Sequence, residues 1–321
     1  MRKLIAFSIP CRNEEDNVVP LVEAIEEQCS LYLSEYDYLI QFIDNASTDR
    51  TREKIREICA RDKKVRAIFN VANFPRSGFH NLMQIEGDCC ILMVADFQDP
   101  PELIPQLVRE WEKGAKVVCA IKTASHENPV MWRIRSLYYK IITCFSNVPQ
   151  IPHFTGSGLY DRDFIEIIRK LEDPTPTIRG LVAEYGYRIS KVPFVQSKRR
   201  SGKSNNDFFR LFDLAMRNVT IYTNIGIRAA TFLGVLISAV SFIVGIVYLV
   251  LKLIFWDRFT AGTAPLLIGV FFLGSIQIFF IGMLGEYILS MNTRLMNRPY
   301  AVEEERINFD VDEEKDDSVD S

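Results

Sequence analysis

Two uninterrupted apolar stretches, "AATFLGVLISAVSFIVGIVYLVL" from Ala229 to Leu251 and "APLLIGVFFLGSIQIFFIGMLGEYIL" from Ala264 to Leu289, constrain this chain more than any other feature. Each supplies the roughly 20 apolar residues that a helix needs to cross a bilayer. Core helices of soluble domains are seldom so long or so close in succession. The pair predicts a membrane hairpin closed by the turn "KLIFWDRFTAGT". Lys and Arg crowd the approach to the first span, from Arg188 through Lys198 and Arg210 to Arg228, and return at Arg294, Arg298 and Arg306, whereas the turn offers only Lys252 and Arg258. By the positive-inside bias, both termini face the cytoplasm. Glu286, near the cytoplasmic end of the second span, either snorkels between helices or serves a functional role at that membrane face.

Upstream, "NDFFRLFDLAMRNVTIYT" gathers Phe208, Phe212, Ala215, Val219 and Tyr222 on one helical face and Arg210, Asp213, Arg217 and Thr220 on another, which suits a helix lying at a membrane surface. "VMWRIRSLYYKIITCF" aligns Ile134, Leu137, Tyr138, Ile141 and Phe145 in the same way, and a core-facing helix explains it equally well. The 321 residues thus divide into a cytoplasmic domain (1–205), a juxtamembrane helix (206–228), the hairpin (229–290) and a tail (291–321).

The formal charge of −3 hides an asymmetry, because the last stretch, "VEEERINFDVDEEKDDSVDS", holds ten of the 41 acids and two of the 38 bases, leaving the body at +5. The body is mildly basic, and the tail reads as a solvated, disordered acidic run. Seven cysteines without metal-type spacing point to thiols in a reducing compartment. No cleavable signal is visible in "MRKLIAFSIPCRNEE".

The first part of the chain alternates strand-like runs, Leu4–Ile9, Tyr38–Ile43, Val65–Phe69, Cys90–Val94 and Val117–Ile121, with segments of helical period such as Val18, Leu21, Val22 and Ile25. This alternation predicts an α/β fold with a mostly parallel sheet covered by helices on both faces. Ligands of such sheets bind beyond the carboxyl ends of the strands. "PCRNEED", "DNASTD" and "ADFQDPPE" follow the first, second and fourth strands, so the three polar clusters are expected on one rim. Any one of them alone reads as a turn. No Gly-rich phosphate loop appears, so a phosphate ligand here calls for a metal. Mg²⁺ and Mn²⁺ take oxygen ligands and are often held by one or two carboxylates plus substrate phosphates, which Asp96 and Asp99, with Gln98 between them, can supply.

With those residues in view, the chain resembles the family 2 glycosyltransferases of GT-A fold, in particular the membrane-anchored polyprenyl-phosphate glycosyltransferases. The motifs that carry the resemblance are "IPCRNEEDNV", "IDNASTDRT", "NFPRSGFHN", "ADFQDPPELI", "TGSGLYDRDF", "RGLVAEYGYR", "KRRSGKS", "GEYI" and "NRPY", in that order. The resemblance implies inverting transfer of a sugar from a nucleotide diphosphate sugar, UDP favoured, to polyprenyl (undecaprenyl) phosphate at the cytoplasmic leaflet of a bacterial membrane. It implies that Pro10, Arg12, Glu14, Asp44 and Arg76 line the donor site, that Asp96 and Gln98 hold Mg²⁺ or Mn²⁺, and that Arg199, Arg200, Lys203 and Ser204 meet the acceptor phosphate. This chain departs from the pattern at Val94 and Gly156, where relatives lead one to look for acids, and at Asn205, where they carry Lys.

A phosphate monoester is already anionic at neutral pH, so positioning and charge stabilisation can suffice without a strong general base. Where a carboxylate assists, Asp99 and Asp161 are the candidates, Asp161 having an alternative as the structural partner of Arg162 or Arg179. Two rivals need fewer residues: a sugar-nucleotide-binding membrane scaffold whose lost acids mark decay, and a processive polysaccharide synthase. "KRRSGKS" neutralises phosphates of any kind, but without an aromatic stacking platform it argues for lipid headgroups over nucleic acid. A membrane hairpin with basic interfacial helices is also compatible with a homo-oligomer.

Overall fold

The computed structural model describes residues 2–124, 151–171, 173, 176–197, 263–296 and 298–309, with scattered positions between 232 and 254. The chain falls into two compact units, one of residues 1–139, 148–205 and 297–321, the other of 140–147 and 206–296.

In the first unit, strand and helix alternate as the sequence predicts: β1 (Leu4–Cys11), α1 (Val18–Tyr32), β2 (Asp37–Asp44), α2 (Thr51–Arg61), β3 (Val65–Asn70), α3 (Ser77–Gln84) and β4 (Cys89–Leu92). Beyond β4 the prolines start a 3₁₀ turn (Pro101–Leu103) that runs into α4 (Ile104–Glu112). Then come β5 (Val117–Ala124), β6 (Phe154–Asp161), α5 (Arg162–Arg169), α6 (Ile178–Tyr185), β7 (Ile189–Val195) and β8 (Glu303–Ile307). The eight strands form one sheet in the order β7-β5-β6-β4-β1-β2-β3-β8. β4, β1, β2 and β3 run parallel, as do β5 and β7, while β6 and β8 are antiparallel to their neighbours.

The inner strands are buried on both faces, which is why they read as continuous apolar runs. Ile5, Phe7 and Ile9 of β1 face α1, α2 and α4, while Ala6 faces the layer of α3, α5 and α6. Ser8 breaks this pattern inside the core and is satisfied there. Asn81 of α3 donates to its hydroxyl at 2.9 Å, Gln41 donates to Asn81 Oδ1 at 2.8 Å, and Arg66 donates to Gln41 at 2.6 Å. A fully partnered buried chain of this kind fixes α3 on the sheet and so fixes its N-terminus at the rim.

Residues 303–307 overturn the reading of that acidic stretch as disordered. They form β8 on the edge of β3, with Ala67 opposite Ile307 and Phe69 opposite Glu305. The physical reason is that its acids are neutralised singly: Arg52 binds Glu304 at 2.8 Å, Arg56 binds Glu305 at 2.6 Å, and His80 and Arg306 both bind Glu303. Burial raises the Glu303 carboxyl, but its hydrogen bonds to His80 and Arg306 outweigh that and hold it down at about 2.

The second unit contains α7 (Thr263–Leu295), which at 33 residues is about 50 Å long. Its window Phe272–Thr293 has a mean hydropathy of 1.6, and none of it is buried. A core helix would cover such side chains, yet Phe272, Ile278 and Phe279 are each more than 60% exposed. The described positions between 232 and 254 are helical too, with their large apolar side chains exposed. The side chain of Glu286, the helix expected at 206–228, and the stretch holding Ile134 to Phe145 lie outside the described residues.

Candidate active site

The carboxyl ends of β1, β2, β3 and β4 share one edge of the sheet, and the loops that leave them are laced together. After β1, Asn13 takes a left-handed backbone (φ 56°), as does Ala46 after β2 (φ 57°). Their loops exchange bonds: Asn13 N–H to Ser47 at 2.9 Å, Thr48 N–H to Asn13 Oδ1 at 2.8 Å, and Glu14 N–H to Thr51 at 2.8 Å. The loop after β3 joins through Asn45, which donates to the Phe74 carbonyl at 2.9 Å and accepts from the Phe74 N–H at 2.8 Å. The polar clusters that sequence places on one rim thus meet there.

Pro10 lies in the last turn of β1, and Glu14 accepts from Asn17 at 2.5 Å at the start of α1. Arg12 is exposed on the same loop. Arg76 is the residue that precedes α3, held at the rim by the Asn45–Phe74 bonds. Asp44 ends β2 with no exposed surface, accepting from Arg52 Nε at 2.6 Å and from the Ser47 N–H at 3.1 Å through Oδ2. Its Oδ1 is buried without a hydrogen-bond partner, as is Oδ1 of Asn70 at the end of β3. Buried acceptors are normally paired, so these two mark a place where a donor group fits.

Arg52 was not singled out by sequence, yet it organises this corner, reaching Asp44, the Asn70 carbonyl at 2.5 Å and Glu304. Its signal is its position on the first turn of α2, directly behind the acidic end of β2.

Beyond β4 the chain makes a tight turn in which Phe97 is left-handed (φ 58°) and the Gln98 N–H donates to Asp96 Oδ1 at 3.1 Å. Asp96 and Asp99 are 5% and 6% exposed. Ser157, midway along β6, donates to Asp99 Oδ2 at 2.5 Å, and the Val94 N–H also serves that carboxylate. Burial is the larger influence and pushes the Asp99 carboxyl up, with the Asp96 charge adding to it. Gln98 turns its side-chain oxygen to Gln196, just past β7, at 2.7 Å. Ser157 and Gln196 escaped the sequence reading because β6 and β7 did; Ser157 lies midway along β6 and Gln196 just past the end of β7.

The structure does not bring Asp161 to this group. It stands at the end of β6, opposite Cys89 at the start of β4. There it caps α5 by accepting the Asp163 N–H at 2.9 Å, accepts the Trp111 indole N–H at 2.6 Å and binds Lys116 at 2.9 Å. Burial alone raises such a carboxyl, but the Trp111 and Lys116 bonds together hold it below its usual range. The ammonium that meets it is that of Lys116.

Among the described residues no group of three or more His, Cys, Asp or Glu side chains is arranged to enclose a metal. The set at Asp96 fits Mg²⁺ or Mn²⁺ in another way, as one or two hard carboxylate ligands completed by substrate phosphates. Gln98 joins it only by sharing the oxygen that Gln196 holds. The six described cysteines are buried and free, and burial pushes Cys59 up to about 11 and Cys119 to about 12, so they remain thiols. Arg199, Arg200, Lys203 and Ser204 lie outside the described residues.

Comparison with known proteins yields two family matches: Glycosyl transferase family 2 over residues 7–167, and the GtrB C-terminal hairpin over residues 233–291. The chain is 29% identical over 299 residues to a prophage bactoprenol glucosyl transferase homolog of Escherichia coli K12, covering 92% of this chain and 96% of that protein. It is 28% identical over the same shares to the SfII prophage-derived bactoprenol glucosyl transferase of Shigella flexneri. Among solved structures, the chain superposes with a TM-score of 0.47 and 18% identity on a glucosyl-3-phosphoglycerate synthase from Mycobacterium tuberculosis, over 68% of this chain and 76% of that one.

Proposed function

The chain belongs to glycosyl transferase family 2, and from that premise we propose that it transfers a sugar from a nucleotide diphosphate sugar, UDP favoured, to polyprenyl phosphate at the cytoplasmic leaflet of a bacterial membrane. The observation that carries the reading is the match to bactoprenol glucosyl transferases over 92% of the chain, hairpin included. The sheet rim supports it, since it gathers buried carboxylates and unsatisfied acceptors where a nucleotide and a diphosphate need them. In this reading the catalytic domain and both termini are cytoplasmic, the two apolar stretches cross the membrane, and the enzyme assembles as a homo-oligomer, which light scattering in detergent tests.

Pro10, Arg12, Glu14, Asp44 and Arg76 form the donor pocket. Asp44 Oδ1 accepts a hydrogen bond from the nucleotide base, and Arg76 faces its phosphates. Asp96, with Gln98, holds Mg²⁺ or Mn²⁺, which supplies charge neutralisation at the departing diphosphate. Asp99 stiffens the turn that presents Asp96, because its bonds to Ser157 and Val94 tie that turn to β6. Arg199, Arg200, Lys203 and Ser204 orient the acceptor phosphate. An acceptor phosphate oxygen attacks the anomeric carbon, the bond from that carbon to the diphosphate oxygen breaks, and configuration inverts. The acceptor is anionic throughout, so no side chain has to take a proton.

The test is transfer of radiolabelled sugar to undecaprenyl phosphate from a panel of nucleotide sugars, by the full chain in detergent with Mg²⁺ or Mn²⁺. Transfer from one donor is expected. Donor binding without transfer from any donor returns the chain to a scaffold.

A further inference from the structure

A pocket of about 200 Å³ opens at the rim where the ends of β1, β4 and β6 meet α3 and α6. Leu82, Leu92, Val94 and Ile178 give it aliphatic walls and Phe79 an aromatic one. The polar side chains in its lining are Thr155 and Ser157, and the Ser157 hydroxyl is already donated to Asp99. Pro10 lines it as well, so it is continuous with the proposed donor site.

The two positions at which the resemblance leads one to look for acids, Val94 and Gly156, both line this one pocket. Gly156 has φ +106°, which disfavours any side chain, and a Cβ there would stand 2.6 Å from the Ile178 side chain, which would have to shift. The Gly156 carbonyl is fixed by the Tyr160 hydroxyl at 2.5 Å. Both positions thus stand without a polar side chain in the wall of a single cavity, whose Ser157 is bonded to the Asp99 carboxylate.

A sugar hydroxyl turned into this cavity away from Thr155 would face hydrocarbon, and an unpaired buried hydroxyl is costly. A methyl group would instead exchange water for aliphatic wall. We infer that the pocket of Val94, Gly156 and Ile178 selects a donor sugar bearing a methyl-terminated substituent in place of a hydroxyl, from either a deoxy or an N-acetyl group. This rests on the reading of the chain as a nucleotide-sugar transferase.

The experiment is equilibrium binding of UDP, UDP-glucose, UDP-6-deoxyglucose and UDP-N-acetylglucosamine to the full chain in detergent with Mg²⁺, for wild type and Val94→Thr, alongside transfer to undecaprenyl phosphate. Val94→Thr keeps volume while adding a hydroxyl, and an unchanged thermal midpoint certifies its fold. One methyl-bearing donor is expected to bind wild type about tenfold or more tightly than UDP-glucose, with the preference cut about tenfold in Val94→Thr. Which of the two donors gains identifies the group. Equal or tighter binding of UDP-glucose, or a preference that Val94→Thr leaves in place, overturns the inference even where transfer proceeds. Failure to bind UDP, or discrimination without transfer from any donor, overturns instead the functional reading beneath it.

Discussion

β6 carries one buried carboxylate at its last residue and holds another from its middle, with opposite results. At one place Asp161 is fully supplied: an indole N–H, a backbone N–H at the start of a helix and an ammonium all face it, and its carboxyl is held low. At the other, burial pushes the Asp99 carboxyl up against one hydroxyl, one backbone N–H and the Lys122 charge, and the neighbouring Asp96 adds to the rise. Both are little exposed, at 7% and 6%, but Asp99 lies the deeper of the two, so burial and partners act together. A structural carboxylate is one whose demand for positive charge is met within the fold, and an unmet demand marks the place where a cation or a donor group belongs.

That contrast can be broken at four points. The largest effect belongs to Asp96→Ala, for which transfer should fall more than about 100-fold with the thermal midpoint unchanged. Asp161→Ala should do the reverse, costing roughly 2–4 kcal/mol in urea unfolding while each folded molecule transfers sugar at the wild-type rate. A loss of rate at intact stability would return Asp161 to the chemistry. Ser157→Ala should cost about 1–2 kcal/mol, because Asp99 keeps its burial and loses its hydroxyl donor. The smallest signal lies in pH. Since the folded protein favours the protonated form of Asp99, wild-type stability should decline as pH rises from the ordinary carboxyl value of 3.8 through the raised one. Asp99→Asn should flatten that decline in unfolding curves taken from pH 4 to 7, and an unchanged slope would show that Asp99 is not the group that titrates.

The rim was legible in advance because β1 to β4 announce themselves by apolar runs with polar residues directly after them, and parallel topology puts all such ends together. β6 was not, since "TGSG" carries two glycines and reads as a turn. Gly158 is there because β6 lies so close to β5 that a Cβ would meet the Val118 carbonyl oxygen at 2.2 Å, a tertiary fact that local sequence does not carry. Missing β6 is what left Asp161 looking like a rim residue, when the strand between it and Ser157 carries it to the far edge. β8 was hidden by composition: three successive acids read as solvated until Arg52, Arg56 and His80, distant in sequence, are placed beside them.

The position of β8 also bears on how the protein is made. This strand closes the β3 edge of the sheet, yet it is encoded after both apolar stretches. During synthesis β3 is therefore a bare edge, open to mispairing, until the hairpin has left the ribosome. Completion of the sheet waits on the apolar stretches, so a chain stalled before residue 303 is left with an unfinished β3 edge.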